Sequence, residues 1–308
     1  MNSVGTEQNH QLAKLVDMDD PQAVLAEVET IVRLMHPAFD LHFLRRAYGD
    51  VLKMFAGEFP GYRACNTEYH DLKHTTDATL AMTRLIHGAV MEGNPISARN
   101  VELAIASTLF HDIGYIQSEG DDGTGAKYTK SHIERSADFL GEYFRTAGFP
   151  EDDAVDGRDM LACTGLTVRI GEIRFRSFEI RMLGMMLGTA DLLGQMADRT
   201  YLEKLSYLYR EFKEAEVPGF NEEIDMYINT LGFYELTKKR FASDLGGVNR
   251  FMRAHFRERW GIDADLYASA IERQMDYLRA VLEKYRPDYR NYLRRWQYLK
   301  KEASVTKT

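Results

Sequence analysis

The segment Ser97–Phe110 most constrains how this chain can fold, because its apolar residues surround almost the whole circumference of a helix. These residues are Val101, Leu103, Ala104, Ile105, Ala106, Leu109 and Phe110. A helix that is apolar nearly all round is buried by other elements. We therefore predict a central helix that the rest of the chain surrounds. The helix ends directly in the polar pair His111-Asp112.

Helical patterns extend over most of the chain, which has only seven prolines among 308 residues. Long helices tolerate few prolines, and caps and breakers divide the sequence into helical segments. Helices are predicted at about 19–35, 41–58, 68–91, 97–110, 131–147, 151–163, 177–196, 199–215, 221–242, 263–285 and 288–300. Residues 165–177 alternate like a strand and are interpreted as a loop or short hairpin. The predicted fold class is all-α.

Three stretches of the chain differ in what we expect of them. Residues 1–18 are predicted to form a flexible leader, residues 19–215 a helical core, and residues 216–308 a C-terminal helical extension packed on the same domain. The helix after residue 130 is expected to open with a capping box, Ser131-x-x-Glu134. Residues 117–130, rich in Gly, Asp, Ser and Thr, are expected to form a loop that acts as a lid or simply connects two helices.

Charge and composition exclude several classes of partner. The net charge is −8 and the pI is near 5.7, whereas proteins that grip long nucleic acid carry a basic face. Cys65 and Cys163 are too few for a disulfide framework and indicate free thiols in a reducing compartment. No apolar run approaches the length of about 20 residues that a membrane span needs. We expect a soluble cytoplasmic protein with no membrane partner.

Two histidines, His70 and His74, are the first candidates for chemistry, in the run Tyr69-His70-Asp71-Leu72-Lys73-His74. Residues four apart on a helix project from one face. That spacing suits two imidazoles converging on a metal, or one ligand beside one acid or base. The alternative is an ordinary pair of surface or core histidines.

Two further carboxylates lie in apolar surroundings. Asp112 stands with His111 at the carboxyl end of the most apolar helix, where an ionised aspartate is disfavoured by the helix dipole. Asp191 is a lone carboxylate in the apolar run Met182–Met196. A buried carboxylate requires a partner or a cation. Two histidines and two aspartates would form a mixed shell for a divalent metal with positions left open. A hydrogen-bonded His–Asp pair at a capped helix end is the alternative for His111-Asp112.

The ordered set His, His-Asp, Asp resembles the HD-domain superfamily of metal-dependent phosphohydrolases, over about residues 40–215. Within it, Tyr-His-x-x-x-His followed by His-Asp is similar to class I cyclic nucleotide phosphodiesterases. The resemblance implies an HD-domain helical bundle with extra C-terminal helices, and His70 as the general acid. It implies four metal ligands, namely His74, His111, Asp112 and Asp191. It also implies a second metal, or its waters, near His132.

The sequence departs from that family in three places. Asp71 stands where the phosphodiesterases usually carry Asn, and Tyr115 stands where a second His follows their His-Asp pair. His111-Asp112-Ile113-Gly114 is more similar to bacterial HD and HD-GYP proteins, but the Gly-Tyr-Pro element and the adjacent His pair are missing. These departures argue against cyclic di-GMP hydrolysis.

The resulting hypothesis is hydrolysis of a phosphodiester in a small, cyclic or linear, nucleotide. One or two divalent ions (Mn, Mg, Fe, Zn, Co or Ni) would activate water, and His70 would protonate the leaving oxygen. Asp71 or Glu68 would orient an imidazole. The alternatives are an HD-type nucleotidase or phosphomonoesterase, and a non-catalytic metal-containing nucleotide sensor.

Contacts with the substrate are harder to identify from sequence. Lys73 and Lys127 are candidates for phosphate, and Gln195 lies one helical turn past Asp191. Solvated lysines are the alternative for the first two. The last predicted helix interleaves tyrosines and Trp296 with arginines, which indicates aromatic packing, or a homodimer contact.

Overall fold

Helices form nearly all the regular structure of residues 11–293, the part of the chain that this computed structural model describes. The α-helices are α1 Leu12–Leu15, α2 Pro21–Met35, α3 His42–Ala56, α4 Leu72–Met91, α5 Ala98–Leu109, α6 His132–Thr146, α7 Glu151–Ala162, α8 Phe178–Ala197, α9 Tyr201–Glu214, α10 Glu223–Ala242, α11 Phe251–Trp260, α12 Leu266–Tyr285 and α13 Tyr289–Tyr292. Short 3-10 turns cover Ile113–Tyr115, Gly125–Tyr128, Ile170–Glu172, Val248–Arg250 and Arg286–Asp288. Within residues 11–293, extended pairing is limited to one isolated bridge, Tyr62 with Ser118. The predicted all-α class is confirmed.

Two of the predicted helix starts are made by side-chain caps. The carboxylate of Asp20 accepts a hydrogen bond from the backbone N–H of Gln22 at 2.9 Å, and Pro21 follows as the first helical residue. Ser97 accepts from the backbone N–H of Asn100 at 3.2 Å. Such bonds satisfy backbone donors that have no partner within the helix. Sequence therefore places these two boundaries correctly.

The start of α4 differs from the prediction in a way that matters for the site. The helix begins at Leu72, not near residue 68, because Asp71 is its N-cap and accepts from the backbone N–H of His74 at 2.8 Å. His70 therefore precedes the helix. The expectation that His70 and His74 share one helix face is wrong, and their approach is made by a turn.

Three other local features compare differently with the sequence predictions. Ser131 makes no side-chain cap bond, so the expected capping box at the start of α6 is absent. Residues 165–177 contain a 3-10 turn and no strand, so they form the predicted loop and not the alternative hairpin. The helix Phe251–Trp260 was not anticipated, because its sequence mixes charged and apolar residues without a clear stripe. Phe251, Met252, Ala254 and Phe256 are nevertheless buried, and this helix packs against α4.

The core is built around two helices, α4 and α5. In α5, Val101 and every residue from Leu103 to Leu109 are buried, which confirms the predicted central helix. In α4 every residue from His74 to Ala89 is buried, although this helix contains many threonines. Three of their four hydroxyls donate to backbone carbonyls, as Thr79 Oγ1 donates to the carbonyl of Thr75 at 2.8 Å. Backbone partners of this kind allow a polar-looking helix to occupy the core.

Side chains from the C-terminal helices α10 and α12 donate hydrogen bonds to carbonyls at the C-terminal ends of α7 and α8. The guanidinium of Arg240 donates to the carbonyls of Cys163, Gly165 and Leu166 at 2.8–3.0 Å, just past α7. Gln274 donates to the carbonyls of Met196 and Asp198 at the end of α8, both at 2.8 Å. Carbonyls in the last turn of a helix need such donors. Residues 216–293 therefore pack on the helices of the predicted core.

The predicted leader and the predicted last helix are only partly described. Leu12 and Val16, within the span predicted to be a leader, are buried beside the core. Residues 1–10 lie outside the described range, as do Trp296 and the arginines around it. Between residues 11 and 293, no helix combines the length and apolar character that crossing a bilayer requires.

Candidate metal centre

His74 is fixed by the first turn of α4. Its backbone N–H is held by the Asp71 carboxylate, whose second oxygen accepts from Lys204 Nζ at 2.8 Å. Lys204 comes from α9 and is buried. This chain of contacts locks the N-terminus of α4, so that the His74 ring enters the core with a fixed orientation.

His111 and Asp112 lie where α5 has ended and a 3-10 turn begins. The Nδ1–H of His111 donates to the carbonyl of Thr108 at 2.7 Å, which leaves the Nε2 lone pair facing the core. Gly114 follows in the turn, and a Cβ there would lie 2.0 Å from the carbonyl oxygen of His132. Only glycine permits this approach, which brings the start of α6 beside Asp112.

Asp191 reaches the same point from the middle of α8. A Cβ on Gly194, one turn along, would lie 2.9 Å from the backbone nitrogen of Ala78, so α8 and α4 pack backbone against backbone. Gln195 donates to Asp191 Oδ1 at 3.2 Å and accepts from the Tyr69 hydroxyl at 2.9 Å. Gln195, predicted as a candidate substrate contact, is thus placed to orient Asp191, a predicted ligand.

The four predicted ligands meet in a cluster, which we call the metal cluster: His74, His111, Asp112 and Asp191. His74 Nε2 lies 3.1 Å from His111 Nε2, 3.2 Å from Asp112 Oδ2 and 3.1 Å from Asp191 Oδ1. His111 Nε2 lies 3.3 Å from Asp112 Oδ2 and 3.7 Å from Asp191 Oδ1. His74, His111 and Asp112 together could hold a metal ion.

These spacings suit a divalent ion. Metal–ligand bonds of about 2.0–2.2 Å place adjacent ligand atoms about 3.0–3.5 Å apart in octahedral or tetrahedral geometry. The five separations between ligand atoms given above run from 3.1 to 3.7 Å. A mixed imidazole and carboxylate set accepts several divalent metals, so it does not select among Mn, Mg, Fe, Zn, Co and Ni.

The electrostatics of the cluster also favour a cation. Burial opposes the charged form of His74, but the hydrogen bonds and charges of Asp112 and Asp191 outweigh it and raise its pKa to about 9. Burial likewise disfavours charged Asp112 and Asp191, yet the two imidazoles hold both carboxyl pKa values below their ordinary range. Two nitrogen lone pairs 3.1 Å apart repel unless a proton or a metal lies between them.

His70 lies beside the metal cluster without being part of it. Its Nδ1 is 2.6 Å from Glu211 Oε2, and the other oxygen of Glu211 accepts from the backbone N–H of Tyr69 at 2.7 Å. The ring of Tyr115 stacks on the His70 imidazole at 4.2 Å, with its hydroxyl 3.5 Å from Nε2. Glu211 fixes the ring direction, and Nε2 is left as the atom that can exchange a proton.

The prediction that Asp71 or Glu68 orients an imidazole is wrong for His70. Asp71 caps α4, and Glu68 forms a surface ion pair with Arg210 at 2.7 Å. Glu211 takes the role from α9, 141 residues along the chain. No sequence motif marks Glu211, and the only signal is a carboxylate among apolar positions of an amphipathic helix.

His132 stands on the other side of Tyr115. Its ring stacks on Tyr115 at 4.5 Å, and its Nδ1–H donates to the carbonyl of Thr129 at 2.8 Å. Nε2 therefore faces Asp112 Oδ1 at 3.8 Å, whereas Oδ2 of the same carboxylate faces His74 and His111. Burial lowers the pKa of His132, which keeps the imidazole neutral. Asp112 thus directs Oδ2 toward His74 and His111, and Oδ1 toward His132.

The two candidate lysines are engaged elsewhere. Lys73 Nζ lies 2.6 Å from Asp77 Oδ2 in a largely buried ion pair, with Asp198 at 3.7 Å. Lys127 is exposed and pairs with Asp121 in its own loop, and it also donates to the carbonyl of Asp122 at 2.6 Å. Neither ammonium group is directed to the metal cluster by a contact.

Access to the metal cluster is narrow. Side-chain exposure is 14% for His70, 14% for Asp191 and 19% for His132, and 6% or less for the other three. The predicted lid loop is held at Thr124 and Gly125 by two side chains from other parts of the chain. Gly125 N–H donates to Asn66 Oδ1 at 2.8 Å, and Thr124 Oγ1 donates to Glu214 Oε1 at 2.5 Å.

Comparison with known proteins gives one match. Residues 119–244 match the model of a family described as Npun_R2479-like. The match covers less than half of the chain and includes His132, Asp191 and Glu211, but not His70, His74 or the His111-Asp112 pair. No curated protein and no solved structure matches the chain.

Proposed function

We propose that this chain is a metal-dependent phosphohydrolase with an HD-type helical bundle, acting on the phosphodiester of a small nucleotide. The observation that carries the proposal is the pairing of two adjacent groups. One is the four-ligand metal cluster, gathered from α4, the end of α5 and α8. The other is His70, a histidine that is held by Glu211 at 2.6 Å and stays outside the ligand set.

The residues of the metal cluster would hold one divalent ion. Such an ion supplies Lewis-acid stabilisation of a phosphoryl oxygen and acidifies water. His74 and His111 offer Nε2 to it, while Asp112 and Asp191 offer one oxygen each. His132 Nε2, 3.8 Å from the second Asp112 oxygen, is the residue that would hold a second ion.

His70 supplies the proton for the leaving oxygen in this proposal. Its Nδ1–H is committed to Glu211, so the proton that moves is at Nε2. The Glu211 carboxylate fixes the direction of the ring, and the stacked Tyr115 ring covers one face of it. A general acid of this kind contributes typically 10²–10⁴-fold to a rate.

A turnover screen tests the proposal. Metal-free protein would be supplied with Mn²⁺, Mg²⁺, Co²⁺ or Ni²⁺ and assayed on cyclic nucleotides, nucleoside monophosphates and aryl phosphodiesters. We expect metal-dependent diester hydrolysis that His70→Ala reduces by about 10²-fold or more with metal content unchanged. His42→Ala, an exposed histidine on α3, is the matched control. Metal loss in His70→Ala would show instead that His70 is a ligand.

A nucleotidase is the second candidate, and the narrow opening favours it. A site whose mouth exposes only His70, Asp191 and His132 admits a terminal phosphate more readily than an internal diester. Hydrolysis of monophosphates alone would select this candidate. Tight nucleotide binding with no turnover under any metal would identify a sensor and exclude both hydrolases.

A further inference from the structure

A cavity of about 680 Å³ lies between α3, α6 and the turn that follows Asp112. Its lining includes the turn residues Ile113, Gly114 and Ile116, but none of the metal-cluster ligands and neither His70 nor His132. The volume falls within the range of sites for small organic molecules, about 300–1,000 Å³. The cavity is therefore large enough for a ligand and separate from the metal cluster.

Aromatic side chains form the apolar wall of this cavity. Tyr62 meets Phe139 edge to face at 5.6 Å, and Phe59 lies 6.2 Å from the same ring. Tyr143 lies 6.2 Å from Phe139 in a stacked arrangement. All four rings remain partly exposed, although each contacts the core. Grouped, partly exposed rings of this kind are typical of sites that receive another planar ring.

Two guanidinium groups bring positive charge to the same cavity. Arg46 is exposed and lies over the Phe43 ring at 5.3 Å and the Tyr143 ring at 5.9 Å. Arg135 donates to the carbonyls of Gly114 at 2.7 Å and Ile116 at 3.1 Å. Within residues 11–293, neither group forms an ion pair with a carboxylate. Both guanidinium groups therefore line the cavity without a carboxylate partner.

The carboxylates of the cavity are already engaged. Asp50 accepts from the Tyr143 hydroxyl at 2.8 Å and has Lys53 Nζ at 3.5 Å. Asp138 pairs with Arg158 at 3.0 Å, and Glu142 pairs with Arg145. Each carboxylate of the cavity thus already has a partner, whereas neither guanidinium group is paired with a carboxylate.

From this combination we infer that the cavity is a binding site for a small planar aromatic carboxylate. The aromatic wall receives the ring system, and the guanidinium of Arg46 receives the carboxylate, since guanidinium and carboxylate match in shape and charge. A bound ligand would also contact the turn Ile113–Ile116, which directly follows a metal ligand. The inference does not depend on the proposed hydrolase activity.

Calorimetric titration of the full chain tests the inference, with 2-naphthoate as the probe and 2-naphthamide as its neutral counterpart. We expect saturable binding of the acid, at least about tenfold tighter than the amide. Arg46→Gln should weaken binding of the acid by a similar factor and leave the amide unaffected. Arg253→Gln, an exposed arginine on α11 paired with Asp263, should change neither affinity.

A metal-cluster variant separates this site from the metal cluster, because carboxylates also bind metals. His74→Ala should bind 2-naphthoate as tightly as the native chain does. Loss of binding in His74→Ala with retention in Arg46→Gln would overturn the inference and assign the probe to the metal. Equal affinities for acid and amide, or no binding at millimolar 2-naphthoate, would overturn it as well.

Discussion

The Nδ1 atom of His70 lies 2.6 Å from Oε2 of Glu211, and the second oxygen of that carboxylate holds the backbone N–H of Tyr69 at 2.7 Å. Both oxygens of one side chain from α9 therefore fix the position and the ring direction of a residue that lies outside any helix. A turn alone would leave this imidazole free to rotate. The pair gives His70 a defined distance from the metal cluster.

Glu211→Gln is expected to reduce turnover by about 10–100-fold without loss of metal, by analogy with other contacts that orient a histidine. The amide keeps the shape but replaces the charged acceptor of the Nδ1–H bond with a neutral one, which orients the ring more weakly. Steady-state rates and elemental analysis of the same samples would measure this. Glu283→Gln, an exposed glutamate on α12, is the control and should retain activity within about twofold. Metal loss in Glu211→Gln would contradict the assignment of Glu211 to His70.

Asp191→Ala and His74→Ala should each lower metal content from about one ion per chain to less than about 0.1. Each removes a donor from a buried set and leaves the remaining charges unbalanced. Elemental analysis after dialysis measures occupancy, and circular dichroism checks that the helices persist. Asp276→Ala, an exposed aspartate on α12, should keep the native content. Full occupancy in either cluster variant would remove that residue from the ligand set.

Asp77 should make stability fall as pH rises toward neutrality. Burial raises the pKa of this carboxyl to about 7, although the ammonium of Lys73 opposes the shift. The folded state then binds a proton more strongly than the unfolded chain, whose aspartate titrates near 3.9. The contribution of Asp77 to the unfolding free energy is therefore greatest below about pH 3.9. It is lost as the pH rises from there to about 7, by an amount on the order of 2–4 kcal/mol.

The check on Asp77 is a difference measurement. The melting temperature of Asp77→Asn relative to the native chain should rise between pH 4.5 and 7.5, since the amide cannot ionise. Effects of pH on the metal cluster are common to both proteins and cancel. In Asp198→Asn the difference should stay flat over the same range, because the pKa of Asp198 is held below its ordinary value by Lys73 and Lys204 against the effect of burial. A flat difference for Asp77→Asn would refute the prediction.

Gly114→Ala should destabilise the fold by about 1–3 kcal/mol, the usual cost of forcing atoms into a packed region. The new Cβ would lie 2.0 Å from the carbonyl oxygen of His132, which is backbone and cannot rotate away. Chemical denaturation measures the change in unfolding free energy. Gly171→Ala, where a Cβ would meet no atom within 4 Å, is the matched control. Equal stabilities for the two variants would show that the turn relaxes.

Sequence by itself determined the helical class, most helix boundaries and the four metal-cluster residues. Caps such as Asp20 and Ser97 bond to backbone groups two or three residues away, so they can be recognised from the sequence alone. The apolar run of α5 likewise predicts correctly that this helix is buried. A carboxylate or imidazole in such a run is conspicuous, because it would be costly without a partner. That is why His111, Asp112 and Asp191 could be selected.

Only the tertiary structure decided what surrounds those residues. Glu211 meets His70 across 141 positions, and Lys204 supports Asp71 across 133, through the packing of α9 beside the start of α4. Sequence spacing carries no information on such contacts, since they depend on how helices pack rather than on periodicity within one helix. For the same reason, neither the complete burial of α4 nor the presence of helix α11 was predicted from the sequence. Local chemistry identified the candidate ligands, and helix packing placed His70, Glu211 and the aromatic cavity around them.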